Sequence, residues 1–241
     1  MDKLVVVIPA YNEEENIENT LQEWYEVVER VGDDSLLAVF DDGSSDGTFE
    51  IMRRWGASHP QFKPITKKNS GHGATVLEAY KFALDAGADF IFQTDSDGQT
   101  DSTEFWQFWE CRNDFDAVIG WRNARQDGLS RIIVTKTLKA VIRFCFKVSI
   151  ADANTPFRLM NEHCLRENIQ LIPNNYFLTN VLLSVIYEKR HQRVKYLPIT
   201  FKPRQGGVNS INLKKIFGIG RQALHDFVYL NRELDDKIGL S

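Results

Sequence analysis

The feature that most constrains the fold is a repeated order in the first half of the chain: a short apolar run, a polar tip, then an amphipathic stretch. Residues 3–10, KLVVVIPA, open the series. A Val-rich run without polar interruption reads as a strand buried on both faces, as in the middle of a parallel sheet. NEEENIENTLQEWYEVVERV (12–31) follows, with Ile17, Leu21, Trp24, Val27 or Val28, and Val31 at helical spacing. Glu13, Glu14 and Glu15 fall in its expected first turn, where the positive end of a helix favours acids. SLLAVFDD (35–42) reads as a second strand, and DGTFEIMRRWGASHP as a helix capped by Asp46. GHGATVLEAYKFALDAGA (71–88) is a helix opened by glycines, and DFIFQTDSDG and DAVIGWR (116–122) are further strands. Strands alternating with helices predict an α/β sheet with right-handed crossovers.

The bulk properties exclude several functions. A chain of 241 residues suits one large domain, or one domain with a sizeable extension, and is long enough for a substantial core. A net charge of −4 lacks the basic signature of a nucleic-acid binder. Cys111, Cys145 and Cys164 show no CxxC spacing and no neighbouring His cluster, which argues against structural zinc and a disulfide framework and for a reducing compartment. The N-terminal stretch turns polar after one short strand, unlike a secretory leader. No apolar run approaches the ~18–20 residues that span a bilayer. No G-x-G-x-x-G follows the first strand, which disfavours a dinucleotide-binding dehydrogenase.

In open α/β sheets ligands bind at the carboxyl ends of the strands. Three polar clusters fall there: PAYNEEE, DDGSSDGT and DSDGQ. In the last, Asp95 and Asp97 stand two apart with Gln99 just beyond, and hard divalent cations take oxygen ligands of this kind. D-x-D alone is equally the composition of a solvated acidic turn. An EF-hand loop does not fit, because its twelfth position would be Trp106 instead of Glu. DDGSSDGT serves turns and caps, yet two adjacent Asp at a strand end can also accept hydrogen bonds from a nucleobase. KNSGHGA (68–74) brings glycines to a helix start, where backbone N–H groups favour phosphate. His72 within it reads as a loop residue. Asp101 reads as a cap for STEFWQFWEC.

VVVIPAYNEEENI, DDGSSDGT, NSGHGA and TDSDGQ, in that order, resemble the family 2 glycosyltransferases of the GT-A fold. GWRNARQDGLSRIIVTK, DANTPFRLMN and KPRQGGVNS resemble elements of the dolichyl-phosphate mannose synthase, or polyprenyl-phosphate glycosyltransferase, group. The resemblance implies a Rossmann-like mixed sheet flanked by helices, with amphipathic helices in the C-terminal half. Residues 1–125 would form the nucleotide-sugar half and 126–241 the acceptor half of one domain. It places Pro9, Tyr11, Asn12, Glu13, Asp42, Gly73 and Ser96 around the donor, with Asp42 on the base. Asp95, Asp97 and Gln99 would hold Mg²⁺ or Mn²⁺ against the diphosphate. Arg122, Arg131 and Thr135 would receive the acceptor phosphate, and Arg204 would lie near the diphosphate. Arg125 and Arg158 read as surface arginines. Asp152 would shape the acceptor wall, either orienting an arginine or, for a hydroxyl acceptor, acting as base.

Thr179 and Asn180 stand where the polyprenyl-phosphate group carries a Glu. A phosphate acceptor is already ionised and needs no base, whereas a hydroxyl does. The expectation is therefore inverting transfer of a hexose from a UDP- or GDP-sugar to a polyprenyl phosphate, with Asp97, Arg122, Arg131 and Asp152 in the catalytic set. The alternatives are a relative that extends a saccharide hydroxyl in glycan assembly, and a non-catalytic nucleotide-sugar-binding subunit. Basic amphipathic stretches at 130–150 and within 197–230 fit two readings equally: a pair of core-facing helices, or surfaces for a membrane or a small membrane-protein partner, the latter giving a cytoplasmic protein held peripherally.

Overall fold

The computed structural model describes residues 2–122, 129–202 and 213–239, with side chains over 2–122, 137–202 and 226–239. In chain order the elements are β1 (Leu4–Ala10), α1 (Ile17–Val31), β2 (Leu36–Asp41), α2 (Thr48–Gly56), β3 (Phe62–Thr66), α3 (His72–Asp85), β4 (Phe90–Gln93), α4 (Phe105–Glu110), β5 (Ala117–Arg122), α5 (Leu129–Phe146), β6 (Arg158–Asn161), α6 (Glu162–Ile169), α7 (Thr179–Lys189), β7 (Val194–Ile199) and α8 (Leu213–Ile238). Among the described residues these build one seven-stranded mixed sheet in the order β3-β2-β1-β4-β6-β5-β7. The α/β class and the flanking helices are those expected.

β1 lies between β2 and β4 and runs parallel to both. Every one of its residues is buried, which is why its sequence never alternates with polar side chains. Its Val5 and Val7 face a cluster with Tyr80, Leu183 and Phe227 from the α3, α7 and α8 side. Leu4, Val6 and Ile8 face the opposite cluster with Trp24, Met52 and Phe105 from α1, α2 and α4. The sheet is thus the middle of three layers, and strand pleating sends alternate residues into two cores.

β6 is antiparallel to both of its neighbours, β4 and β5. Its first residue, Arg158, sits beside Gln93, the last residue of β4. The reversal brings the segment before β6 to the edge where β1, β2 and β4 end.

Two expectations need correction. The first helix begins at Ile17, and Glu13 to Glu15 precede it. Asn12 turns the chain back at φ 54°, a left-handed conformation that Asn tolerates. The Glu13 N–H then donates to Thr48 Oγ1, and Glu14 accepts from the Gly47 N–H. Loop contacts to 44–48 hold these acids out of the helix. Sequence periodicity also missed β3, a short strand containing Pro64. It is the sheet edge, where a missing N–H donor is tolerated. Asp46 accepts from the Thr48 N–H, although Gly47 holds the N-cap position of α2, and Asp101 caps the short 3-10 turn Ser102–Glu104 that leads into α4 by accepting from the Thr103 N–H. No described helix is long and apolar enough to cross a membrane.

Candidate active site

The ends of β1, β2 and β4 open into a cleft of about 830 Å³. Its walls include Pro9, Tyr11, Asn12, Glu13, Asp42, Asp95, Ser96 and Asp97, so three clusters far apart in sequence share one cavity. Tyr11 projects from the wall and is half exposed. The Asn12 Oδ1 accepts from the Ser45 N–H at 2.8 Å, and Ser44 Oγ accepts from the Asn12 N–H at 2.9 Å. These bonds tie the loops after β1 and β2 together. Ser96 Oγ donates to Pro9 O at 3.0 Å and joins the D-x-D turn to the end of β1.

Asp42 is buried, and its carboxylate is engaged inside the protein. It accepts from Lys67 Nζ at 2.6 Å and from the N–H groups of Ser70 and Gly71, both at 2.9 Å. Burial alone would push its carboxyl up, but hydrogen bonds from Lys67, the Ser70 N–H and Thr75 together hold it below the ordinary carboxylate range. Asp42 therefore fastens the 67–71 loop that leads into α3. Gly73, in the first turn of α3, allows that helix to approach α7: a Cβ there would lie 2.4 Å from the Phe177 backbone.

Asp95 and Asp97 stand on the turn after β4, each partly exposed to the cleft. Burial, the largest influence, and the negative charge of Glu13 push the Asp95 carboxyl above its usual range, against the opposing charges of His72 and Arg122. His72 Nε2 lies 3.9 Å from Asp95 Oδ1. Among the described residues no three His, Cys, Asp or Glu side chains converge as a closed metal site. Two carboxylates at an open cleft instead fit a hard divalent cation whose remaining ligands are substrate oxygens and water. Gln99 is placed differently from its neighbours. It is buried, its Nε2 donates to Lys202 O at 2.8 Å, and its carbonyl accepts from the Lys202 N–H at 2.7 Å. Only its Oε1 remains for a cation.

At the end of β5, Arg122 and Asp152 form a two-pronged ion pair, with Nε to Oδ2 at 2.7 Å and Nη2 to Oδ1 at 2.8 Å. The Arg122 guanidinium also lies 4.9 Å from the Phe201 ring centre. Arg131 and Thr135 fall on α5 before its side chains are described, and Arg204 and Arg125 lie outside the described residues. Arg158 is not a surface arginine: it is fully buried. Sequence reasoning passed over Lys67 and His72 as site residues. Lys67 follows a strand that had itself been missed, and His72 gains meaning only through its distance to Asp95.

Residues 5–203 match the sequence profile of glycosyl transferase family 2. The chain belongs to that family. Among curated members, this family 2 glycosyl transferase is 24% identical over 236 residues to an undecaprenyl-phosphate 4-deoxy-4-formamido-L-arabinose transferase of Pectobacterium carotovorum, covering 95% of this chain and 65% of that protein. It therefore spans just under two thirds of that relative's length. It is also 24% identical to a polyprenol monophosphomannose synthase of Mycolicibacterium smegmatis, over 87% of this chain and 81% of the synthase. Among solved structures, glucosyl-3-phosphoglycerate synthase from Mycobacterium tuberculosis, in complex with Mn²⁺ and UDP-glucose, superposes with a TM-score of 0.68 at 15% identity, over 95% of this chain and 79% of that one. This likeness establishes the GT-A architecture.

Proposed function

We propose that the chain transfers a hexose from a UDP- or GDP-sugar to a polyprenyl phosphate in one inverting displacement. The observation that carries this reading is the placement of Asp95 and Asp97 in a cleft of about 830 Å³, with Arg122, gripped by Asp152, near enough for its charge to act on Asp95. The names of the curated relatives support a polyprenyl-phosphate acceptor, and the Mn²⁺ and UDP-glucose complex of the structural neighbour supports the donor and metal class.

Pro9, Tyr11, Asn12 and Asp42 form the base and ribose side of the cleft, and Gly71 and His72 bring the start of α3 to its diphosphate side. Ser96, Asp95 and Asp97 close the opposite wall. Asp95 and Asp97, with Gln99 Oε1, would hold Mg²⁺ or Mn²⁺, which supplies neutralisation of the charge that builds on a departing diphosphate. The acceptor phosphate oxygen attacks the anomeric carbon, and the bond to the nucleoside diphosphate breaks with its electron pair staying on the diphosphate. Arg122 orients the attacking phosphate, with Arg131, Thr135 and Arg204 as further phosphate contacts.

The Arg122 pair also favours phosphate over hydroxyl acceptors. Both oxygens of Asp152 accept from Arg122, so the carboxylate is an orienting group and a poor base. A phosphate acceptor is largely ionised near pH 7, with its second pKa near ~6, and needs none. Exposed Phe144, flanked by exposed Lys139 and Arg143 on α5 and by Lys147 just past its end, suits contact with an anionic bilayer on the cytoplasmic face. The deciding assay offers a panel of UDP- and GDP-sugars to short polyprenyl phosphates and to saccharides, with and without EDTA. Transfer to lipid phosphate that EDTA abolishes is expected. Transfer confined to saccharide hydroxyls, or unaffected by EDTA, would overturn the proposal.

A further inference from the structure

Behind the D-x-D turn runs a chain of buried polar side chains that does not reach the cleft. Gln93 ends β4 and is fully buried in an otherwise apolar strand. One atom of its amide lies 3.1 Å from Tyr80 Oη on α3 and 3.0 Å from Asn180 Nδ2 on α7. Asn180 Nδ2 can only donate, and the Tyr80 hydroxyl shares its single proton between this atom and Asn180 Oδ1 at 3.0 Å, so the atom is Oε1 and the amide NH₂ points the other way. It points out along the strand, where Nε2 lies 3.4 Å from Asp95 Oδ1.

The same cluster reaches the acceptor side. The Asn180 backbone oxygen accepts from Arg158 Nη1 at 3.0 Å. Arg158 also donates to Ser184 Oγ at 3.0 Å, Thr155 O at 2.7 Å and Ala153 O at 2.6 Å. Ala153 directly follows Asp152, which grips Arg122, and Thr155 lies two residues further on. Burying so many polar groups is costly unless all are paired, and apolar side chains would fill these positions more cheaply. A satisfied network of this kind earns its place through rigidity.

We propose that Gln93 is a positioning residue for the D-x-D turn. Pinned by Tyr80 and Asn180, its amide N–H sets the direction of the Asp95 carboxylate. Arg158 ties the same anchor to the 152–155 segment, so the donor-side carboxylate and the acceptor-side arginine share one register. The inference rests on the reading that Asp95 holds a divalent cation.

The test measures Mn²⁺ binding in the presence of UDP by the loss of the free aquo-Mn²⁺ EPR signal, alongside the thermal midpoint. Gln93→Met keeps the volume and removes the amide. It should weaken Mn²⁺ binding about tenfold or more, the usual effect of losing a group that orients a metal ligand. Tyr80→Phe removes the hydroxyl that bridges the Gln93 and Asn180 amides and should weaken it about threefold. The double variant should bind no worse than Gln93→Met alone, because Tyr80 acts through Gln93. Wild-type affinity in a folded Gln93→Met protein, or additive losses in the double variant, would overturn the inference and leave the proposed function standing. If Gln93→Met does not fold, unchanged affinity in Tyr80→Phe overturns it. A wild-type protein that binds no Mn²⁺ with UDP would sink both.

Discussion

Arg122 and Asp152 meet edge to edge, each guanidinium nitrogen of the pair within 2.8 Å of its own carboxylate oxygen, with side chains only 10% and 8% exposed. Removing one partner strands the other's charge. Asp152→Ala and Arg122→Ala should each cost about 3 kcal/mol of stability, and the double variant clearly less than their sum. Denaturant melts of the four proteins measure this. The same position separates the acceptor classes. Asp152→Asn should keep transfer to a lipid phosphate within about tenfold of wild type, whereas loss of a general base costs about 10²–10⁴-fold.

Asp95 carries its charge at some cost to the unliganded protein. Burial and Glu13 both disfavour its charge. Asp95→Asn should therefore raise the stability of the metal-free protein by about 0.5–2 kcal/mol while abolishing the thermal shift that Mn²⁺ and UDP produce in the wild type. A variant that still responds to Mn²⁺ would remove Asp95 from the metal site.

Asp42 makes the protein sensitive to acid. Its folded-state pKa lies below the unfolded value near ~3.9, so its contribution is complete above that pH and disappears as the pH falls through the folded value. Asp42→Asn should cost about 1.5–3 kcal/mol at pH 7, and the gap between variant and wild type should close on acidification below pH ~4. A constant gap across that window would show that Asp42 is not held in its charged form by Lys67 and the 70–71 N–H groups.

Phe144 is 80% exposed on a basic stretch of α5. Its ring contributes about 1.5–3 kcal/mol when buried in a bilayer, so Phe144→Ser should weaken partitioning onto anionic vesicles about tenfold or more. Added salt should weaken the wild type as well. Sedimentation with vesicles reads both effects, and equal partitioning of variant and wild type would remove this contact.

The sheet and the D-x-D turn were legible because both are written locally. KLVVVIPA is buried on both faces and shows it in every residue, and the polar tips directly follow the strands that present them. What could not be read depends on partners distant in sequence. Glu13 to Glu15 look like a helix start until the 44–48 loop claims them. Gln93 and Arg158 each appear as one polar residue among apolar ones, the same pattern as a solvent-facing strand position. Only the pairing of β4 with β6 places them side by side in the interior. Asp152 was legible as a group that orients an arginine, but that the arginine is Arg122, thirty positions earlier, came only with the fold.

The backward run of β6 also makes the stretch from Asp152 to Arg158 a molecular ruler. Strand side chains alternate between faces, so one added residue there would either be swallowed by a bulge or turn Arg158 into the wrong layer. The turn that enters β4 from the opposite rim faces open space: a Cβ built at Gly87 would meet no neighbour within 4 Å, although its φ of 74° keeps glycine at that one position. Engineers seeking a place for a fluorophore or an affinity handle should therefore choose the far rim, and evolution has little freedom to lengthen the near one.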